Sequence, residues 1–159
     1  MNYLKFQTDM MKRMDKSDKN VCRTGIVENP FKDNLVVISN GFMAMVLPED
    51  KVFLNIKTDA TEIVKRLIND FENGDYRLAE KTYTIEHSSK DKNGKILWTK
   101  VVQKLDDGCG KTAFVRKDYL DLFGKHCSYY IQKRTDPVFV TDEGMEVIGF
   151  ILPINIIEG

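Results

Sequence analysis

The sequence predicts an α+β fold built mainly from antiparallel strands. Short apolar runs, rich in valine, isoleucine and aromatic residues, alternate with turn signals along most of the chain. A smaller number of segments repeat apolar residues at helical spacing instead. The elements follow the order strand, helix and three strands, then an inserted helix and hairpin, then strand, helix and three strands again. This order predicts duplicated βαβββ units with antiparallel sheets, interrupted by one insertion.

The length of 159 residues predicts a single domain with a substantial core. Its first βαβββ half is expected over 1–48, the inserted helix and hairpin over 49–95, and the second half over 96–159. Hydrophobic residues make up 42% and charged residues 30% of the chain, proportions that are typical of globular proteins and exclude a disordered one.

The charge and hydropathy patterns restrict the classes of partner. With 24 basic and 24 acidic residues the formal net charge is zero, so bulk charge cannot hold nucleic acid. Any such contact needs a local basic face and is expected to be weak and salt-sensitive. No apolar run is long enough to span a bilayer, and the N-terminus lacks the order of a signal peptide. We therefore expect a cytoplasmic protein without a membrane partner.

The first segment predicts a short strand and then a helix. The run "YLKF" suits a strand, and Thr8 or Asp9 suits the cap of a helix from Met10 to about Lys16. Three methionines share one face of that helix by i, i+3 and i+4 spacing: Met10, Met11 and Met14. We expect this methionine stripe to pack into the core.

Three β-rich runs complete the first half. They are "VCRTGIVE", "LVVIS" and "FMAMVL". Asn40-Gly41, between the second and third runs, is a strong hairpin signal because both residues tolerate a positive φ. These runs predict an antiparallel meander.

The inserted segment changes to a helical period. Five apolar residues recur at helical spacing: Ile63, Val64, Leu67, Ile68 and Phe71. Asp59 with Glu62 resembles a capping box, and Gly74 supplies a stop. This helix is expected to cover an apolar sheet face. The runs "KTYTIEHSS" and "KILWTKVVQ" then flank "KDKNG" as a second hairpin.

The motif "DDGCGKT" ends like a phosphate-binding loop. Such a loop requires a glycine where Leu105 stands, and it must lead into a helix. The following run from Thr112 to Val115 is β-branched and aromatic, so we expect a glycine turn between two strands. A short helix, "RKDYLDLFG", should then bury Tyr119, Leu120 and Phe123 before three final strands, "CSYYIQKR", "PVFVTD" and "VIGFILPINI".

No group of residues predicts catalysis. The three cysteines form no C-x-x-C pair, so neither a disulfide framework nor a zinc site is indicated. His126 and Cys127 are adjacent, and neighbouring strand residues point to opposite faces, which is the wrong geometry for a nucleophile and its base. We expect no catalytic residue, no metal, no cofactor and no enzymatic activity.

Two stretches together resemble the bacterial sliding clamp, the β subunit of DNA polymerase III. The longer runs from Lys111 to Ile156 and follows the order that ends a clamp domain: strand, Tyr-Leu helix, two strands with a proline, and an apolar last strand. Its corresponding residues are Phe114, Tyr119-Leu120, Asp121, Pro137-Val138 and Leu152-Pro153-Ile154. The shorter, "LVVISNGFMAMVL", is similar to the strand pair around the family's "TDG" turn, with Asn40 in place of the usual Asp.

This resemblance implies a non-catalytic, DNA-clamp-like domain whose two helices lie on one face and meet duplex DNA without reading its sequence. The residues it assigns to the DNA-facing surface are Lys12, Arg13, Lys16, Arg116, Lys117 and Lys125. Nearby aspartates partly cancel that positive charge. The alternative is that these residues form a solvated helix face.

The family also binds short peptides of polymerases and repair proteins in an apolar groove beside the C-terminal strand. The matching positions here are Phe150, Leu152, Pro153 and Ile154. Alternatively this strand is buried, or pairs with another subunit.

The chain departs from the family in size. Bacterial clamps carry three such domains per chain, and two chains close a ring around DNA. This chain has room for one domain, so a ring would be a homo-oligomer of about six copies. The competing hypothesis is a small α+β interaction or assembly protein that uses the clamp fold as a scaffold and has no DNA role.

Overall fold

The computed structural model describes residues 1–14, 24–27, 35–53 and 61–156. The helices in these ranges are α1 (Tyr3–Met14), α2 (Thr61–Asn73) and α3 (Lys117–Asp121), and Glu49–Lys51 forms one 3-10 turn. The strands are β1 (Thr24–Val27), β2 (Leu35–Asn40), β3 (Met43–Pro48), β4 (Arg77–Lys90), β5 (Ile96–Asp106), β6 (Thr112–Arg116), β7 (Ser128–Ile131), β8 (Val138–Thr141) and β9 (Val147–Ile151). The predicted α+β class is confirmed.

The strands of these ranges form one antiparallel sheet in the order β1-β2-β3-β9-β8-β7-β4-β5-β6. The meander β1–β3 and the meander β7–β9 meet through β3 and β9, where Met45 lies opposite Gly149. The inserted segment belongs to the same sheet, because β4 pairs with β7 over Arg77–Ala79 and its helix α2 packs on the strands. The two meanders are therefore joined by their last strands.

Alternate strand residues face two separate cores. On one face Ile38 and Met45 pack in the same cluster as Met10 of α1 and Leu120 of α3. On the other face a second cluster joins α2 to the sheet, and it contains Val37, Ala44, Val46, Val64, Ile68, Phe139 and Phe150. Because side chains alternate across a strand, α1 and α3 lie on one face and α2 on the opposite face. The prediction that α2 covers an apolar sheet face is confirmed.

Gly149 lies where α3 presses against the junction of the two meanders. A Cβ atom at this position would overlap the carbonyl oxygen of Ala44 on β3 and the ring of Phe123. Only glycine leaves room for both neighbours. The close approach therefore sets the position of the α3 segment relative to β3.

The helix α1 begins earlier than the sequence predicts. The backbone N–H of Lys5 donates to Asn2 Oδ1 at 3.1 Å, so Asn2 acts as the cap. The prediction of a strand at "YLKF" is wrong, because Phe6 and Met10 at i, i+4 spacing supply one buried face. Thr8 is an interior residue whose hydroxyl donates to the carbonyl of Leu4, so neither it nor Asp9 begins the helix. The first meander is thus preceded by a helix without a leading strand in residues 1–14.

The methionine stripe is only partly as predicted. Met10 is 1% exposed, whereas Met11 is 48% exposed, so the buried stripe runs through Phe6 and Met10. Gln7 is fully buried beside them and fixes the helix: its Nε2 donates to the carbonyl of Lys51, and the N–H of Phe53 donates to its Oε1, both at 3.0 Å. A buried amide with both ends paired is stable and orients α1 against the end of β3.

The predicted turns are confirmed at the glycines. Gly41 has φ 87° between β2 and β3, and the Oδ1 of Asn40 accepts the N–H groups of Phe42 and Met43. Asn40 itself has a negative φ, and it stabilises the turn through these side-chain hydrogen bonds. Gly108 and Gly110, at φ 78° and 100°, connect β5 to β6, so "DDGCGKT" is a strand-to-strand turn and lacks the helix of a phosphate-binding loop.

The other predicted helices differ from the structure in detail. The helix α3 covers five residues, shorter than "RKDYLDLFG", and the segment ends at Gly124 with φ 83°. In α2, Val64 and Ile68 are buried while Ile63 is 46% exposed. The predicted cap residue Asp59 lies outside the described residues.

The β4–β5 hairpin extends beyond its neighbours. Among the described strands, β7 pairs with β4 only over Arg77–Ala79, and β6 pairs with β5 only over Val102–Asp106. The remainder, from the pair Glu86–Val101 to the turn at Gly94, is a two-stranded ribbon. We call residues 86–101 the ribbon.

Candidate nucleic-acid interface

The helices α1 and α3 lie side by side and form a groove with β5. The N–H of Asn2, at the start of α1, donates to the carbonyl of Leu122 just after α3. The groove has a volume of about 380 Å³. Its lining residues come from α1, β5 and α3, from the last residues of β2 and β6, and from the residue after α3: Lys5, Phe6, Asp9, Met10, Lys12, Asn40, Trp98, Lys100, Arg116, Asp118, Tyr119 and Leu122.

The groove has an excess of positive charge. Lys5 and Lys12 are exposed on α1, and Lys100 reaches the same groove from β5. With Arg116 these make four basic side chains against the carboxylates of Asp9 and Asp118. A local excess of this kind attracts a polyanion even though the whole chain is neutral.

Arg116 is held firmly by its neighbours. Its Nε and Nη2 donate to the two carboxylate oxygens of Asp118 at 3.0 and 2.6 Å, and its Nη1 donates to the hydroxyl of Tyr119 at 2.9 Å. The guanidinium carbon also lies 3.9 Å from the centroid of the Tyr119 ring. These three hydrogen bonds fix the guanidinium of Arg116 beside the first residues of α3, whereas Lys5 and Lys12 are exposed on α1.

The pKa of Asp118 reflects this arrangement. Burial alone would raise the pKa, but the hydrogen bonds and charge of Arg116, with the charge of Lys100, lower it below the usual value. A carboxyl whose pKa is lower in the folded state stabilises the fold above the unfolded pKa of about 4. That contribution is lost as the pH falls through the folded pKa.

The structure brings together only part of the predicted DNA-facing set. Lys12 and Arg116 line the groove. Lys117 lies outside it, paired with Asp121 at 2.6 Å, and Lys125 borders a different depression between β4 and β7. The side chain of Arg13 and the whole of Lys16 lie outside the described residues.

Three groove residues were missed by the sequence reasoning. Lys5 was assigned to a strand, although Lys5, Asp9 and Lys12 follow the i, i+4, i+7 spacing of one helix face. Lys100 and Trp98 were placed on the strand "KILWTKVVQ", at the start of the predicted second half, without a site. No local signal places them beside α3, because that position depends on the pairing of β5 with β6.

The predicted peptide-binding residues are divided between two environments. Phe150 is 5% exposed and packs under α2. Leu152 is 36% exposed and shares with Phe150 a small apolar notch of about 90 Å³ beside α2. The N–H of Ile154 donates to the carbonyl of Phe114 at 2.8 Å, so Pro153 and Ile154 follow the edge of β6.

His126 and Cys127 do not form a nucleophile pair. His126 Nδ1 lies 3.1 Å from a carboxylate oxygen of Glu143, while Cys127 Sγ contacts the carbonyl of Gly124 and the hydroxyl of Tyr129. Among the described residues, no group of three or more histidine, cysteine or acidic side chains is arranged to hold a metal ion. None of the helices in these ranges has the length and apolar character to cross a membrane.

No family model matches the chain, and it has no match among the curated proteins or the solved structures.

Proposed function

We propose that this chain is a non-catalytic, clamp-like protein that binds duplex DNA without sequence specificity through the groove between α1 and α3. The observation that carries the proposal is the shared position of the two helices on one face of the sheet, with lysines lining the groove between them. Lysine ammonium groups meet phosphates as point charges and read no bases, which suits binding at any sequence.

The clamp-like duplication is part of the same proposal. Each meander follows a helix, α1 before β1–β3 and α3 before β7–β9, and the meanders meet through antiparallel last strands. Two similar halves related by an approximate twofold axis at this junction would produce that arrangement. The resemblance of "LVVISNGFMAMVL" and of the segment after Lys111 to clamp sequences supports it independently.

Binding of a fluorescein-labelled duplex, followed by anisotropy, tests the proposal. We expect micromolar or weaker binding that is equal for two unrelated sequences. If about three lysines meet phosphates, the logarithm of the binding constant should fall with the logarithm of salt concentration with a slope of about −3. An absence of binding at about 50 mM salt, or a strong preference for one sequence, would remove the groove from a general DNA role.

A second function, peptide binding or assembly without DNA, is favoured by the apolar notch at Leu152. The exposed parts of Ile63 and Leu152 border this notch on the α2 face, opposite the groove. An apolar anchor site of this kind suits a short peptide of a polymerase or repair protein.

The oligomeric state, measured by light scattering, distinguishes a ring that encircles DNA from a scaffold protein without a DNA role. A ring around DNA requires about six copies of a one-domain chain, so we expect a hexamer if the protein encircles the duplex. A monomer that also fails to bind duplex DNA would favour the interaction or assembly role.

A further inference from the structure

The ribbon carries a basic tip that the proposed duplex binding does not use. Lys90, Lys92 and Lys95 are all exposed around its turn, and Asp91 is the acidic residue among them. The Oδ1 of Asp91 is committed to the turn, since it accepts the N–H groups of Asn93 and Lys95 at 2.8 and 2.9 Å. The tip therefore presents an excess of positive charge to a partner.

One face of the ribbon has an aromatic platform. His87 lies directly opposite Lys100 in the strand pairing, and Ser89 lies opposite Trp98, so these four side chains share a face. The rings of His87 and Trp98 are 5.8 Å apart at an interplanar angle of 58°. Trp98 is 36% exposed, which leaves part of the indole open to a ligand.

The platform is continuous with the α1–α3 groove. Trp98 and Lys100 line the groove together with Lys5 and Lys12. A polyanion held by the helix lysines would pass beside the indole and then along the basic tip of the ribbon. The platform therefore offers an aromatic surface at the end of a phosphate track.

We propose that the ribbon binds unpaired nucleotides next to a duplex, with a base stacked on Trp98 and phosphates near Lys100 and the tip lysines. This inference rests on the proposed duplex binding and adds its preferred partner, DNA with a single-stranded extension. Stacking requires the flat face of a base, and paired bases inside a duplex do not expose that face. A basic track beside an exposed aromatic ring is the usual device for holding single strands.

Trp98 is the only tryptophan, so its fluorescence reports directly on the platform. We expect quenching when the protein is titrated with a duplex bearing a thymidine extension, and much less quenching with a blunt duplex of the same total number of phosphates. The extended DNA should bind about tenfold more tightly, which corresponds to about 1.4 kcal/mol and lies within the range for one stacked base. Anisotropy of the labelled DNA measures this ratio separately.

Variants distinguish stacking from general charge. Trp98→Ala should reduce the preference for extended DNA, measured as the ratio of the two binding constants, to nearly one, and Trp98→Phe should retain part of that preference. Leu97→Ala is the matched control, because Leu97 is 60% exposed on the same strand and its loss should not change the preference. Circular dichroism of each variant checks that the fold is kept.

The outcomes separate the two proposals. Equal binding of blunt and extended DNA with unchanged Trp98 fluorescence overturns the role of the ribbon and leaves the groove intact. Failure to bind either DNA overturns the duplex function and the ribbon inference together. Quenching or a blue shift with anionic phospholipid vesicles, without any response to extended DNA, assigns the ribbon to a lipid surface and also overturns the inference.

Discussion

Replacing Lys5 and Lys12 together with glutamate is expected to weaken duplex binding on the order of 100-fold at about 100 mM salt. Both lysines are exposed on α1 and line the groove. The change removes two phosphate contacts and places two carboxylates against the DNA. Anisotropy at several salt concentrations should also show a shallower salt dependence, by about one unit of slope for each lysine lost.

The matched control carries the same change in charge on the other face. Lys65 and Arg66 belong to α2, which packs against the opposite side of the sheet. Their double replacement with glutamate should change binding only through long-range repulsion, which salt screens. If both double variants lose affinity equally, the net charge of the protein governs binding and the groove does not.

A substitution that removes a negative charge from the groove should have the opposite effect on DNA binding. Asp118→Asn removes a carboxylate from the groove and weakens its pairing with Arg116, whose Nε and Nη2 donate to the two carboxylate oxygens in the unmodified protein. We expect binding to tighten a few-fold, about 1 kcal/mol or less, because one negative charge near the phosphates is lost. Weaker binding would instead show that the fixed position of Arg116 matters more than the charge of the groove.

Phe139→Ala is expected to lower the free energy of unfolding by about 3–5 kcal/mol. Phe139 is fully buried, and its ring stacks on Phe71 of α2 with centroids 4.4 Å apart. Tyr76 and Phe150 also pack against it, at 5.3 and 5.6 Å. A typical domain has a free energy of unfolding of about 5–15 kcal/mol, so this loss would be a large part of the total. Urea unfolding followed by circular dichroism measures it.

Phe139→Leu is the control for the aromatic cluster. This variant keeps most of the apolar volume, so we expect the free energy of unfolding to fall by only about 1.5 kcal/mol. The missing ring stacking contributes to that decrease. A loss below about 1 kcal/mol for Phe139→Ala would mean that α2 is not fastened to the sheet as described.

The turns show how much of the fold the sequence could predict. Asn40-Gly41 and "DDGCGKT" were identified because a positive φ is a local requirement that glycine meets. The start of α1 was missed because a run such as "YLKF" is compatible with either a strand or a helix when it is considered alone. The cap at Asn2 and the burial of Phe6 become evident only when the sheet beneath them is known.

The candidate site was less predictable than the fold. Lys12 and Arg116 were named from a resemblance, and both line the groove. Lys100 and Trp98 were not, because they come from a hairpin whose place in the sheet is set by pairing with β6 and β7. Contacts between residues that are distant in the chain leave no periodic signal in the sequence.

The amino-acid sequence by itself determined the antiparallel α+β class, most of its turns and the apolar face of α2, because periodicity and turn chemistry act over a few neighbouring residues. Tertiary packing alone decided that β3 meets β9, that α1 and α3 share a face, and that Lys5 and Lys100 line one groove. The physical reason is that strand pairing and helix docking select among many arrangements of the same local elements. That selection depends on how well distant surfaces fit, as at Gly149 beneath Phe123.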